Sequence, residues 1–295
     1  MNAKERGFLL LTSGLGVPDR KPLTVAQFRT LARRMQTAER PAETRELTLE
    51  DVVACGYDRT MADRIVRLLE DGFILDKYLL RGKKKNCVPI SRVNRQYPLA
   101  VRKRLGLDAP GCLWTKGDVA LLETEKIALV GSRRLAEENR KFAEKVGYEA
   151  ARQGITLVSG NARGADKVAQ DACLNNGGKV ISVVADELCN CPLTENVLYL
   201  SEEGFDSPFS AARALSRNRV IHSLGFATVV AQSAVGEGGT WRGTTQNLQK
   251  NWSPVFCYDD GSAAAIELVQ MGATLIKPEE LSDLSALQSG TNSFL

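Results

Sequence analysis

The sequence predicts an α/β protein: a doubly wound, extended Rossmann-like sheet preceded by a small helical N-terminal domain. Three observations carry this reading. From Glu125 onward, short apolar runs alternate with amphipathic stretches of helical period. Several of those runs end in glycine- and serine-rich turns, as buried parallel strands do. The first eighty or so residues show helical periodicity instead.

From Leu23 to Asp76 the pattern is helical. Val25, Phe28, Leu31, Ala32 and Met35 recur at steps of three and four and make one apolar face. Thr48, followed by Glu50 and Asp51, reads as a helix cap with acidic first-turn residues. A second stripe, Ala62, Ile65, Val66 and Leu69, follows the turn Cys55-Gly56-Tyr57. Two short helices joined around a glycine resemble a helix-hairpin-helix or SAM-like module. Such a module can grip a phosphate through backbone amides, although packing alone explains most hairpins of this kind.

The strands follow. Ile127–Gly131 is the first, with a helix over Ala136–Gln153. Ile155–Ser159 and Val180–Ala185 are the second and third strands, flanking a helix over Ala165–Asn175. After a loop-rich stretch, a helix over Ser210–Ser223 leads to a fourth strand, Ala227–Ala231. Thr240–Lys250, Val255–Tyr258, Ala263–Met271 and Ala273–Ile276 complete the alternation. The domains are therefore expected at 1–80 (helical), 81–125 (a basic segment leading into the sheet), 126–285 (Rossmann-like, nucleic-acid-binding) and 286–295 (tail).

The 295 residues carry 39 Lys+Arg and 35 Asp+Glu, a net charge of only +4. That total hides a division. Residues 1–105 hold 22 basic and 12 acidic side chains, net +10, and the remainder is net −6. Lys77–Leu105 has ten bases and no acid, with Lys83-Lys84-Lys85 expected in an exposed turn or hairpin after Gly82. Such asymmetry suits a polyanion docking on one side, or equally a solvated basic domain. No apolar run approaches the roughly 20 residues of a membrane span, and the start lacks a signal-like apolar region. The chain is therefore placed in the cytoplasm, away from membranes. Seven cysteines show no paired framework, and Cys189-Asn-Cys191 has no second pair at zinc-like spacing. With a single histidine, His222, no metal site is expected.

In a doubly wound sheet, ligands bind beyond the carboxyl ends of the strands. The first strand ends Gly131-Ser132-Arg133-Arg134. The second ends Ser159-Gly160-Asn161-Ala162-Arg163-Gly164-Ala165-Asp166, and the fourth ends Gln232 to Thr240 with Gly236, Gly238 and Gly239. Free amides and the helix dipole at such turns favour an anion. Three such loops on one edge, two carrying arginine, point to a phosphate-bearing ligand. Arg217-Asn218-Arg219 adds two guanidiniums able to fork onto phosphates, with Asn218 bracing a loop. Tyr97 and Trp114 are candidates for base stacking or for packing.

These strings, with Gly177-Gly-Lys-Val-Ile-Ser-Val-Val184, Ser201-Glu202, Gln96-Tyr-Pro-Leu99 and Leu113-Trp-Thr-Lys-Gly117, closely resemble the DNA-processing protein A (DprA/Smf) family. Leu10–Gly16 and the helices after it are similar to that family's N-terminal domain. The resemblance implies a non-enzymatic, cofactor-free homodimer that binds single-stranded DNA and helps load a RecA-type recombinase during DNA processing or uptake. Carried over by motif, the phosphate pocket comprises Gly131, Ser132, Arg133, Ser159, Gly160, Arg163, Gly164, Arg217 and Asn218, with Gly236, Gly239 and Thr240 as its far wall. The chain departs from the pattern at Gln170, where the family has histidine, and at Ala214-Leu215, where it has Phe-Pro. It also departs in a shortened Pro192–Ser201 stretch, in the turn after Val255, and in ending at Leu295 without room for a winged helix. These departures bear on recombinase loading more than on the fold or the anion pocket, and mark a divergent branch.

Two other readings use the same pocket. One is a sensor domain for a small nucleotide-derived signal. The other is a nucleoside-monophosphate phosphoribohydrolase, whose Gly-Gly-x-Gly-Thr-x-x-Glu loop is approached by Gly238–Gly243. Here Gly243 stands where that chemistry needs a carboxylate base. A nicotinamide-dependent oxidoreductase lacks both its glycine fingerprint and its ribose-binding acid.

Overall fold

The computed structural model describes residues 1–38 and 46–289. Helices α1 (Ala3–Thr12), α2 (Val25–Thr37), α3 (Leu49–Ala54), α4 (Arg59–Glu70) and α5 (Gly72–Lys84) come first. Each of the first four opens on a side-chain cap, from Asn2, Thr24, Thr48 and Asp58 in turn. Leu23, Leu31, Val52, Ala62, Ile65 and Leu68 pack into a core of their own, which ties these helices together. Phe28, Leu31 and Met35 of α2 and Ala62, Ile65, Val66 and Leu69 of α4 pack in or against that core, as their spacing in the sequence predicts.

The sheet runs β1 (Val88–Ser91), β2 (Cys112–Gly117), β3 (Lys126–Val130), β4 (Thr156–Ser159), β5 (Val180–Val183), β6 (Val197–Ser201), β7 (Thr228–Val230), β8 (Val255–Tyr258) and β9 (Thr274–Ile276). Among the described residues the spatial order is β1-β2-β6-β5-β4-β3-β7-β8-β9. The strands from β6 to β9 in that order are parallel, and β2 is antiparallel to both its neighbours. Helices α7 (Glu137–Arg152) and α8 (Ala165–Asn175) cover one face. The other is covered by α6 (Leu99–Leu105), α10 (Asn218–Leu224), α11 (Gly238–Lys250) and α12 (Ala263–Gln270), with the short α9 (Ala211–Ser216) at the rim. Burial on both faces explains why β3 to β5 are apolar without alternation.

The structure amends the sequence reading in four places. Strands β1, β2 and β6 were not expected. Pro89 disguises β1, yet proline is tolerated there because β1 is an edge strand whose outer amides need no partner. Second, the helix expected over Ser210–Ser223 is two helices meeting at Arg217, where Val220 N–H bonds back to the Arg217 carbonyl at 3.0 Å. Third, Lys83 and Lys84 form the last turn of α5 rather than a hairpin.

Fourth, the basic segment is no continuous flank to the sheet's carboxyl edge. Lys83–Lys85 lead into the amino end of β1, five places from β3. Arg81 pairs with Asp206 at 2.6 Å, Arg92 bonds the Gly106 carbonyl at 2.6 Å, and Arg104 binds the Ser223 and Gly225 carbonyls. Of the expected tail 286–295, residues 290–295 lie outside the described residues. No helix among the described residues is long and apolar enough to cross a membrane.

Candidate nucleic-acid interface

The strand order reverses between β3 and β7. The chain winds from β3 through β4 and β5 to β6 on one side, then returns to lay β7 on the other. Loops leaving the carboxyl ends of β3 and β7 therefore diverge and leave a crevice, the usual ligand position in open α/β sheets. A cavity of about 670 Å³ fills it. Gly131, Ser132 and Arg133 line one side, Gly239 and Thr240 the other, and Arg217 and Asn218 the floor. A second cavity of about 580 Å³ lies over β4 and β5, lined by Gly160 and Arg163, and shares Arg133 and Arg217 with the first.

Arg217 is the common wall. It is 7% exposed, with Asp166 Oδ2 3.6 Å from its guanidinium. Asp166 sits in the first turn of α8 and accepts a hydrogen bond from the Ala162 N–H at 3.2 Å. Burial pushes its carboxyl above the ordinary value, against the pull of Arg217. A methyl group at Gly160 would overlap the Arg217 guanidinium, so the glycine is what lets the arginine lie across the β4 turn. Asn161 follows in the left-handed region (φ 56), and Gly164 (φ 86) packs beneath the backbone of Ser132 and Arg133. Asn218 donates from Nδ2 to the Gly239 carbonyl at 2.9 Å and so joins the start of α10 to that of α11. The positive end of α11, thirteen residues long, opens on the cavity at Gly238–Thr240.

The structure thus brings Gly131, Ser132, Arg133, Gly160, Arg163, Arg217, Asn218, Gly239 and Thr240 to the walls of two adjoining cavities. Ser159, Gly164 and Gly236 stand elsewhere. Ser159 is buried and donates to the Leu129 carbonyl at 2.9 Å, tying β4 to β3. Gly164 shapes the loop from behind, and Gly236 lies exposed in the turn bridged by Ala234 and Glu237. Arg219 turns away from the cavities. It pairs with Glu202 at 2.8 Å and bonds the Asp108 carbonyl, so the two arginines of Arg217-Asn218-Arg219 do not fork onto one ligand.

Tyr97 and Trp114 are each 1% exposed, and the Tyr97 hydroxyl donates to the Pro110 carbonyl at 2.8 Å. Packing, not base stacking, is their role. Gln170 donates from Nε2 to Ser182 Oγ at 2.9 Å and holds α8 to β5. His222 is fully buried beside Thr228 (3.2 Å) and Asn247 (3.3 Å), and burial pushes its pKa down to about 3.

Several wall residues lie outside the pocket carried over by motif, among them Phe209, Arg134 and Arg242 and the acids Asp186, Glu187 and Glu237. Phe209 is 53% exposed and lines both cavities. Arg134 and Arg242 line the first. Phe209 lies in a stretch that reads only as loop, and no periodicity marks it. Arg242 follows Thr240 by two residues on a helix whose start was read two residues late. Gly243 is buried, and a Cβ there would stand 3.0 Å from Asn218 Nδ2 and 3.1 Å from His222 Nε2. The space a hydrolase's carboxylate would need is occupied by these side chains.

A family model described as DNA recombination-mediator protein A matches residues 89–286. The DNA processing protein DprA of Streptococcus pneumoniae is 32% identical over 184 aligned residues, covering 57% of this chain and 64% of the relative. Protein Smf of Escherichia coli is 29% identical over 200, covering 62% of this chain and 52% of the relative. The match thus spans between half and two thirds of these relatives' lengths. Among solved structures, the DNA processing protein A of S. pneumoniae matches with a TM-score of 0.72 at 23% identity, covering 95% of this chain and 98% of that one, which is a likeness of fold. The DNA processing protein A of Helicobacter pylori, described for its unique single-stranded DNA binding mode, matches with a TM-score of 0.55 at 25% identity over 64% of this chain and 90% of that one.

Proposed function

The chain belongs to the DNA recombination-mediator protein A (DprA/Smf) family, and from that premise we propose that it is a non-enzymatic single-stranded DNA-binding protein that holds the phosphate backbone at the switch point between β3 and β7. The observation that carries this is the pair of cavities joined across Arg217. One mononucleotide needs a single cavity, whereas two adjoining ones with a shared arginine wall suit successive phosphates. Arg133, Arg163, Arg217 and Arg242 supply the charge, the start of α11 supplies a dipole, and Phe209 offers a ring for a base to stack on. Phosphate contacts position a strand without reading it, so binding is tolerant of sequence.

Homodimerisation and assistance to a RecA-type recombinase belong to the same proposal. Support for the dimer comes from an apolar patch on α12 and the open edge strand β9, where Ile266 is 53%, Met271 49% and Leu275 39% exposed. Recombinase loading rests on family membership and is tested by recombinase filament formation on strands pre-bound by this protein.

Titration of labelled oligo-dT at several salt concentrations, beside a panel of nucleotides, tests the reading. Five or six phosphate contacts give a log K against log salt slope of about −4. A shallow slope, with tight binding of one nucleotide and none of the oligomer, would instead establish the nucleotide sensor.

A further inference from the structure

A third cavity, of about 580 Å³, lies between the helical unit and the sheet and shares no lining residue with the other two. Phe8 and Phe28, with ring centroids 4.4 Å apart, form an apolar wall on the α1–α2 side. Leu107 and Pro110 line it from the segment before β2. At its sheet end stands Glu202, whose side chain is only 5% exposed. Oε2 of that carboxylate accepts from Arg219 at 2.8 Å, but Oε1 is recessed in the wall with no hydrogen-bond partner among the described residues. Arg29 Nε and Arg219 Nε, both on cavity-lining side chains, are likewise buried without a partner. A buried polar group left in this state costs roughly 1–3 kcal/mol, more when charged. Three of them around one cleft describe a site built for a ligand with donors and acceptors on one edge.

The charges narrow its chemistry. Arg29 is paired with Asp108 and Arg219 with Glu202, which leaves Arg92 and Arg102 lining the cleft against Glu203, a small positive excess that draws in an anion-bearing ligand. The ligand must nevertheless give N–H donors to a carboxylate and offer a flat apolar face to phenylalanine. A nucleotide does all three. Guanine matches best, because its Watson–Crick edge sets two adjacent N–H donors beside a carbonyl acceptor. Thymine has one such donor between two carbonyls, which a carboxylate disfavours.

We propose that this cleft is a guanine pocket, occupied by a base carried on a strand or by a free guanine nucleotide. Glu202 turns Oε1 out of the wall to accept from the base, the guanidiniums that line the cleft offer donors to its carbonyl, and the ring lies against Phe28. Ser216 lines the cleft while its neighbours Leu215 and Arg217 line the sheet-edge cavities. A strand crossing the α9–α10 junction would therefore reach both.

The test compares oligo-dT with the same oligomer carrying a central guanine run, at one salt concentration, and titrates GMP and TMP separately by calorimetry. The guanine oligomer is expected to bind about tenfold tighter than oligo-dT. Ala32→Trp, which fills the cleft from α2 without touching Glu202, and Glu202→Gln should each abolish that margin and leave oligo-dT affinity and its salt slope unchanged. GMP binding lost in both variants assigns the pocket to the free nucleotide as well, and its absence beside the oligomer margin assigns it to the strand-borne base. Equal binding of the two oligomers with no GMP uptake overturns the proposal, as does a margin that survives Ala32→Trp. Failure of all oligomers to bind would sink the sheet-edge reading alone, since GMP uptake still tests the cleft.

Discussion

Gly160 and Arg217 show how much one missing side chain can decide. The guanidinium lies where a Cβ on Gly160 would stand, and Asp166 holds it from the other side. Gly160→Ala should therefore displace Arg217 while keeping its charge, and weaken oligo-dT binding at least tenfold, as Arg217→Ala does. Fluorescence anisotropy reads both, and wild-type affinity in Gly160→Ala would show that the arginine's placement is irrelevant to the ligand. His222 permits a sharper measurement because it is the chain's single histidine. Burial first, and the charge of Arg217 second, push its pKa down to about 3. The unfolded chain binds a proton near pH 6.5 that the folded chain refuses. The histidine's stabilisation is thus complete above that pH and is lost as pH falls toward about 3, at about 1.4 kcal/mol per pH unit. Urea denaturation at pH 7, 6 and 5 should show this slope in the wild type and a flatter one in His222→Gln. A ring resonance titrating near pH 6.5 in the folded protein would contradict it.

Elements were legible in the sequence where burial imposes a pattern. The helix Ala165–Asn175 and the strand Val255–Tyr258 stand where the periodicity puts them, because each meets a core that tolerates only one face or one apolar run. Strand β6 was not legible. Its residues Val197-Leu-Tyr-Leu-Ser201 include two leucines, which favour helix, and it becomes a strand through pairing with β5 and β2, a property of the sheet and not of the segment. The site divides in the same way. Glycine, serine and arginine at strand ends announce the crevice, while Phe209 lies in the loop before α9 and the opposite headings of Arg217 and Arg219 depend on the break between α9 and α10. Asn218, the first residue of α10, ties that helix to the start of α11. Asn218→Ala removes the donor to the Gly239 carbonyl and should cost about 1–2 kcal/mol of stability. Freed from α10, the start of α11 should also bind oligo-dT severalfold more weakly. Unchanged affinity with lowered stability would confine Asn218 to a packing role.

At the scale of the whole molecule, the excess of positive charge in residues 1–105 is dispersed and does not gather beside the two cavities. Arg81, Arg92 and Arg104 are spent on internal contacts, and Lys83–Lys85 stand five strands from β3. One chain therefore offers no unbroken basic path from those lysines to the cavities, and a longer binding surface has to come from a second copy. Among the described residues the sheet ends in β1 on one side and in β9 on the other, and β9 is the edge nearer β3. Ile276 faces the core that α7 and α8 cover, so Leu275, one residue earlier, points to the opposite face, the side on which α12 lies with Ile266 exposed. An edge strand beside exposed apolar side chains is a ready pairing surface, and a two-fold axis there would pair like patches. Each copy in such a pair would bring its own two cavities, which gives a long strand a second site to engage. Leu275→Arg combined with Ile266→Glu should leave a folded monomer in sedimentation velocity. That monomer should keep its affinity for a short oligo-dT and lose most of its gain on a long one. A double variant that still sediments as a dimer would place the interface elsewhere, and a wild-type monomer that binds long strands as tightly as expected would remove the need for a second copy.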